Sequence, residues 1–477
     1  QFDHALSTRF CHRLTVAAVS QLAQRNAGLS AQVTMTRGQS LIAGVLFLLL
    51  MMGVVWWPQI LLRGLVLTAA TGFSIGICLR LMLALRGTVR DTALKCPRIR
   101  DADLPVYTVL IPLFGEAAVV PSLTQSLSAL DYPRDKLDIK FVVEADDWPT
   151  RLAAGRAAQQ GPFETVLVPY SLPRTKPKAC NYALHFARGD FLVIFDAEDR
   201  PCTDQLRKAV AAFGALPAQI ACLQARLIID NARDGLLPTL FAIDYDIWFS
   251  VLLPGLARLR VPIPLGGTSN HFRIGALRQV YGWDPFNVTE DADLGVRLAQ
   301  FGYGVAMLDS YTAEEAPLHV ATWMRQRTRW LKGYMQTLLV HLRAPVALAR
   351  HTGIGGMAMV LTLLGGTVCS ALLNPILWLV FVLVHLHLLP QGASDPAKLL
   401  AIWSGSGLLI TNGFLIGSVF MSERWQARPW RVFYGFGMLL YWLLISVAAW
   451  RALWQLLVCP HRWEKTPHGA ARCRAGI

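Results

Sequence analysis

Residues 191–201 read FLVIFDAEDRP, an apolar run that passes directly into an acidic loop closed by proline. A short, β-rich, uninterrupted run of this kind reads as a buried strand, so its carboxylates begin where the strand ends. Asp196 and Glu198 are two apart and point to one side of an extended chain, where two carboxylates can share one hard cation. Mg2+ or Mn2+ is the expected guest. Taken alone, the same residues would be a solvated turn before Pro201, and the strand in front of them favours the metal.

Outward from this junction the pattern repeats. VYTVLIP (106–112), IKFVV (139–143) and FETVLVP (163–169) read as strands. VPSLTQSLSAL (120–130) sets Val120, Leu123, Leu127 and Leu130 on one helical face, and KACNYALHFARG (178–189) reads as a helix before the acidic strand. The alternation predicts an α/β domain with a doubly wound parallel sheet, which binds ligands beyond the carboxyl ends of its strands. A second acidic junction, VEADD (143–147), supplies Glu144, Asp146 and Asp147. They suit a nucleobase imide or ribose hydroxyls, and a plain strand-end turn closed by Asp147 and Pro149 is the alternative.

Three further stretches carry chemistry. TEDADLGVRLAQFG (289–302) starts a helix with Thr289 as its expected N-cap, and a rigid helix start also suits Asp291 as a general base, with Glu290 beside it. One base without a second nucleophile implies inversion at the reacting carbon. ATWMRQRTRWLKGYMQTLLVHL (321–342) reads as a basic amphipathic helix at a membrane surface. It would turn Arg329 toward a diphosphate and Trp330 toward the apolar face of a sugar, with Gln326 alongside. KPKACN (176–181) brings Lys178 to a helix start that suits phosphate, and PLGGTSNHFR (264–273) offers Thr268, Ser269 and Asn270 to sugar hydroxyls.

With 54% hydrophobic and 16% charged residues in 477, the chain is too apolar for an ordinary soluble protein. Residues 41–57 and 64–85 read as a membrane hairpin, and 354–373, 376–390, 398–421 and 432–450 as four further spans. Residues 238–260 read as an interfacial helix tucking the domain under the bilayer. Arg86, Arg90, Lys95, Arg98, Arg343, Arg350, Arg462 and Lys465 put the polar block in the cytoplasm, although SERWQARPWR (422–431) carries three Arg on the opposite side. The net charge of +14 belongs to these flanks rather than to nucleic-acid binding. Nine cysteines without a CxxC pair support neither a disulfide framework nor a zinc ribbon. The expected organisation is a cytoplasmic segment (1–40), a hairpin (41–86), a globular domain (100–320), interfacial helices (321–352), membrane helices (353–458) and a cytosolic tail (459–477).

Together VEADD, FDAEDRP, TED and QRTRW resemble, over most of 105–335, the processive family 2 glycosyltransferases, which include bacterial cellulose, hyaluronan and mixed-linkage glucan synthases. WEKTPHG (463–469) is similar to the C-terminal segment of related synthases. The resemblance implies a GT-A fold between transmembrane helices, Asp196 and Glu198 at the family's DxD, Asp291 as the base of TED, and Gln326, Arg329 and Trp330 as QxxRW. It sets Phe114 and Glu116 of IPLFGE near the nucleotide. VEADD and DxE depart from the family pattern, and no gating-loop motif follows QRTRW. Residues 1–40 resemble the tail of a regulatory domain that senses cyclic di-GMP, which implies that the rest of that domain is missing here.

These readings lead to one expectation: a multipass inner-membrane β-glycosyltransferase that builds an exopolysaccharide from a UDP-sugar, UDP-glucose first, and passes the polymer out through its helices. A transferase that glycosylates a lipid, and a scaffold that has lost activity, are the alternatives.

Overall fold

The computed structural model describes residues 2–87, 99–386, 405–406, 409–410, 413–417 and 429–464. Its centre is an eight-stranded sheet: β1 (Tyr107–Leu113), β2 (Leu137–Glu144), β3 (Phe163–Val168), β4 (Phe191–Ile194), β5 (Arg200–Pro201), β6 (Ile220–Ile229), β7 (Asn270–Arg273) and β8 (Gly304–Glu314), in the order β3-β2-β1-β4-β7-β6-β8-β5. The first four expected strands are present. Side chains alternate between two cores, as a strand requires: Val109, Ile111, Phe141 and Val193 face one, Leu110, Val142, Leu192 and Ile194 the other. Helices Val120–Ser128 and Gln205–Ala215 cover the first face, and Lys176–Leu184 and Glu290–Gln300 the second.

The sheet is mixed, which corrects the wholly parallel expectation. β1 runs parallel to β2 and β4, but β7 lies antiparallel between β4 and β6, pairing Asn270 with Ile194 and with Gln224. β7 is the NHFR that was read as part of a turn. Its alternation is short and follows two glycines, so nothing local distinguished it from loop. The parallel half keeps the expected geometry: pairing Leu113 with Val143 and Leu110 with Ile194 brings the ends of β1, β2 and β4 to one edge.

Asp147 caps a helix not expected from sequence, Trp148–Gln160, and accepts from the backbone N–H of Gly115 at 2.5 Å and of Thr150 at 3.4 Å. The helix expected over 178–189 ends at Leu184. Gly189 then passes so close to the sheet that an added Cβ would sit 2.6 Å from the Phe191 carbonyl oxygen and 2.7 Å from the Thr108 nitrogen.

Among the described residues five helices are long and apolar enough to cross a membrane: Arg37–Trp56, Pro58–Gly87, Leu236–Leu259, Pro345–Ile376 and Phe433–Val458. The third, which overlaps the expected interfacial helix, has 72% of its 18-residue apolar window buried within the protein. One helix, Gly366–His385, runs through the boundary expected between 354–373 and 376–390, with Pro375 inside it. Most of the expected span 398–421, part of the basic loop 422–431, and Arg90, Lys95, Arg98 and Lys465 lie outside the described residues. The described cysteines are free thiols.

Helix Phe2–Arg25 and the turn after it dock on the sheet domain. Ala18 carbonyl accepts from Asn181 Nδ2 at 3.1 Å, Asp284 accepts from Ser30 Oγ at 3.2 Å and from the Ala31 N–H at 2.5 Å, and Arg343 donates to Ser30 carbonyl at 2.9 Å.

A buried ion pair fastens helix Glu290–Gln300 to helix Val320–His341. Asp293 meets Arg297 at 2.9 Å and His341 at 2.9 Å, all three with 0% side-chain exposure. Burial works to raise the Asp293 carboxyl, yet Arg297 and His341 more than offset it and hold it below the usual range. Arg297→Met should therefore leave a buried carboxylate without its permanent counter-charge, held by His341 alone. The expected loss is about 3–5 kcal/mol, read as a lower midpoint in thermal unfolding.

Candidate functional site

A cavity of about 520 Å³ opens along the aligned strand ends and reaches the apolar helices. Phe114, Glu116 and Glu144 line it after β1 and β2, Asp196 and Glu198 after β4, Glu290 and Asp291 from their helix start, and Gln326, Arg329 and Trp330 from the amphipathic helix. Residues spread over more than 200 positions of chain thus meet in one space.

The remaining expected site residues are engaged elsewhere. Lys178, expected at a phosphate, is buried in an ion pair with Glu144 at 2.9 Å, because a buried ammonium must find its counter-charge. Asp146 pairs with Arg174 at 2.6 Å. Thr268, Ser269 and Asn270 do not line the cavity and turn into the domain. Thr268 Oγ1 donates to Asp199 and stands 3.0 Å from the Ile194 carbonyl oxygen, Ser269 Oγ donates to Thr312 at 2.6 Å, and Asn270 Nδ2 donates to the Gly266 carbonyl at 2.6 Å. Gly266 and Gly267 face the cavity in their place, with Asp291 Oδ2 only 3.2 Å from where a Cβ on Gly267 would stand. Thr289 is the N-cap by position only: its hydroxyl lies 3.4 Å from Asn287 Oδ1 and caps no backbone N–H of the helix.

Three residues that sequence reasoning missed complete the site. Lys176 opens helix Lys176–Leu184 and bonds both Asp196 and the Gly267 carbonyl, the latter at 2.8 Å. It lies two residues before the lysine that was chosen, and KPKACN alone could not say which ammonium would reach the acids. Arg174 stacks on the Phe114 ring at 4.2 Å. Trp463 stacks on Arg329 at 4.8 Å and lines the cavity, having returned from the chain's end.

Acids crowd this space. Burial, then the charges of Asp196 and Glu198, hold Asp199 well above its ordinary value, and burial with the Asp199 and Glu198 charges does the same to Glu314. Burial works against the charge on Lys176, but Asp196 and Glu290 outweigh it and keep the ammonium firmly protonated. Asp199 Oδ1 is buried without a hydrogen-bond partner. Among the described residues no three His, Cys, Asp or Glu side chains are grouped to hold a metal by themselves. Two carboxylates, Asp196 and Glu198, suit a small hard cation that draws its remaining ligands from phosphate and water.

Residues 105–333 match the family described as Glycosyltransferase like family 2. Over that stretch, just under half of the chain, the sequence is similar to that family, and the fold is GT-A-like α/β. The beta-monoglucosyldiacylglycerol synthase of Trichormus variabilis is 24% identical over 298 residues, 61% of this chain and 61% of that protein. Glucomannan 4-beta-mannosyltransferase 2 of Arabidopsis thaliana is 26% identical over 241 residues, 49% of this chain and 45% of the relative. The matched part therefore spans 45% to 61% of these relatives' length. Mannosyltransferase PcManGT from Pyrobaculum calidifontis, solved in complex with GDP-Man and Mn2+, shares the fold with a TM-score of 0.52 and 19% identity, over 83% of this chain and 99% of that one.

Burial, then the charge of Asp291, pushes Glu290 up to about 8. A carboxyl raised from 4.5 favours the folded state while protonated, so this contribution is complete below the unfolded value and lost as pH climbs through about 8. Protein free of metal and nucleotide should accordingly melt lower as pH rises from about 5 to about 8. Glu290→Gln should flatten that decline, as differential scanning calorimetry across the range would record.

Proposed function

We propose that this protein is a membrane-bound, inverting hexosyltransferase that takes its sugar from a nucleotide diphosphate, UDP-glucose as the donor, and lengthens a glycan lying in the cavity. The observation that carries this reading is the cavity's continuation beyond the acids. Thr367, Ser370, Asn374 and Trp378 line it from helix Gly366–His385, and Trp442 from helix Met438–Val458. The first four recur every three or four residues, so a polar and aromatic stripe of one helix faces inward. Hydroxyl-rich glycan needs such partners wherever water is excluded.

In this reading Asp291 accepts the proton of the acceptor hydroxyl as that oxygen attacks the anomeric carbon, and the nucleotide diphosphate leaves from the opposite face. Lys176 and Arg329 balance the leaving charge, with Gln326 as a hydrogen-bonding neighbour. Asp196 and Glu198 would hold Mg2+ or Mn2+, which supplies charge neutralisation to the diphosphate when bound. PcManGT, solved with Mn2+, supports a divalent ion here. Phe114, stacked by Arg174, and Asp146, paired with it, present a flat cationic surface suited to the nucleobase. Trp330 is backed by Phe241 and Tyr245, with ring centroids 6.2 and 6.1 Å away, and offers a rigid platform to the acceptor sugar. The reading places residues 100–320 in the cytoplasm as the transferase domain, with the helices after 353 in the inner membrane as multipass anchors.

A second reading, transfer of one sugar to a lipid, is favoured by the similarity to the beta-monoglucosyldiacylglycerol synthase. Purified protein given labelled nucleotide sugar separates the two by product length. Chains of many sugars support elongation, and a single added residue ends it. Asp291→Asn should lower kcat by about 10²–10⁴-fold while donor binding persists. Unchanged turnover would remove Asp291 as the base, and absence of turnover and of donor binding in the wild type would favour the inactive-scaffold alternative.

A further inference from the structure

Arg80 is an arginine inside an apolar helix. It lies within the expected span 64–85, and helix Pro58–Gly87 continues seven residues past it, about 10 Å at 1.5 Å per residue. The side chain lines the same cavity as the acids. A cation there is expensive unless a partner or ligand answers it, which makes it a functional candidate by default.

Its surroundings leave it a surplus charge. Asp244 is the carboxylate that acts on Arg80. Yet Asp244 Oδ2 already takes a hydrogen bond from Arg327 Nη2 at 2.6 Å, and the Tyr441 hydroxyl stands 3.4 Å from the same oxygen. Arg327 also donates to the Tyr441 hydroxyl at 2.6 Å, so this acid is held by a network reaching three helices. One carboxylate thus faces two guanidiniums, and among the described residues no ion pair to Arg80 is formed. Arg327, which holds Asp244, lies 4.5 Å from the Trp330 ring centroid, so the surplus lies toward the acceptor platform.

We propose that Arg80 binds an anionic group of the acceptor, a phosphate or carboxylate carried behind the sugar that receives the new residue. The assignment rests on the transferase reading above and names its acceptor class. A guanidinium forms bidentate hydrogen bonds with either anion, and low dielectric strengthens the pairing. Phosphate would come from a lipid headgroup, carboxylate from an acidic sugar.

The test uses the full chain in phosphatidylcholine nanodiscs and has two arms. In the first, thermal midpoints are compared with a short-chain alkyl phosphate, an alkyl carboxylate and the matched neutral alkyl glucoside. The second offers labelled nucleotide sugar with a phosphate-bearing glycolipid, a uronate-terminated oligosaccharide and their neutral counterparts. Anionic probes should stabilise the wild type, and one anionic acceptor should be preferred about tenfold, which corresponds to 1.4 kcal/mol. Arg80→Gln should lose both effects, and Arg80→Lys should keep the charge preference with weaker binding. Preference for the glycolipid identifies a lipid source, and preference for the uronate a glycan. Equal midpoints with neutral and anionic probes, or a preference that survives Arg80→Gln, would overturn the assignment. Absence of donor turnover with every acceptor would instead remove the transferase reading, while the midpoints still decide whether an anion binds at Arg80.

Discussion

Asp293 has no access to water, and a carboxylate in such a place persists only if it is paired and hydrogen-bonded. Its partners are Arg297, one turn along its own helix, and His341, at the far end of the amphipathic helix. Glu290 and Asp291 precede it on the first helix, while Gln326, Arg329 and Trp330 ride on the second. Satisfying one buried charge therefore holds the two halves of the cavity in register. Gly333 works to the same end, since a side chain there would overlap Thr289 and push the helices apart. The acids and the arginine of the cavity are placed by packing that lies behind them.

Electrostatics then shapes the cavity itself. Asp196, Glu198, Asp199 and Glu314 converge within a buried space, and Lys176 is the ammonium that meets them directly at Asp196. Burial, reinforced by the neighbouring carboxylates, holds Asp199 and Glu314 toward the protonated state. An environment that penalises several negative charges at once is also one that a cation relieves, which ties the proposed metal and diphosphate chemistry to the same crowding. Toward the apolar helices the balance reverses. Arg327 holds Asp244, Arg80 lines the wall nearby, and polar side chains replace acids there. The cavity thus changes character along its length, acidic at the strand ends and cationic to polar near the apolar helices.

Strands β1 to β4 were legible because a buried strand needs a dense apolar run, and each such run ended in a recognisable polar junction. Asp196, Glu198, Asp291, Gln326, Arg329 and Trp330 meet in one cavity because their elements point them toward one edge of the sheet. Lys178 and the Thr268–Asn270 turn were misjudged because residue type says that a group can bind phosphate or sugar, not which way it faces. Helix Trp148–Gln160 was hidden by its low apolar content, since its buried positions are only Thr150, Ala154 and Ala157. β7 was hidden by brevity.

From sequence alone came the alternation of strand and helix, the carboxylates at strand ends, the basic helix with its tryptophan, and the apolar segments around them, because each follows from local periodicity and residue chemistry. Tertiary structure decided which ammonium meets Asp196, that Trp463 returns to stack on Arg329, that the sheet is mixed, and that Arg80 looks into the cavity. Those outcomes depend on contacts between residues tens to hundreds of positions apart, where the need to pair buried charges and fill space chooses among side chains that are locally equivalent.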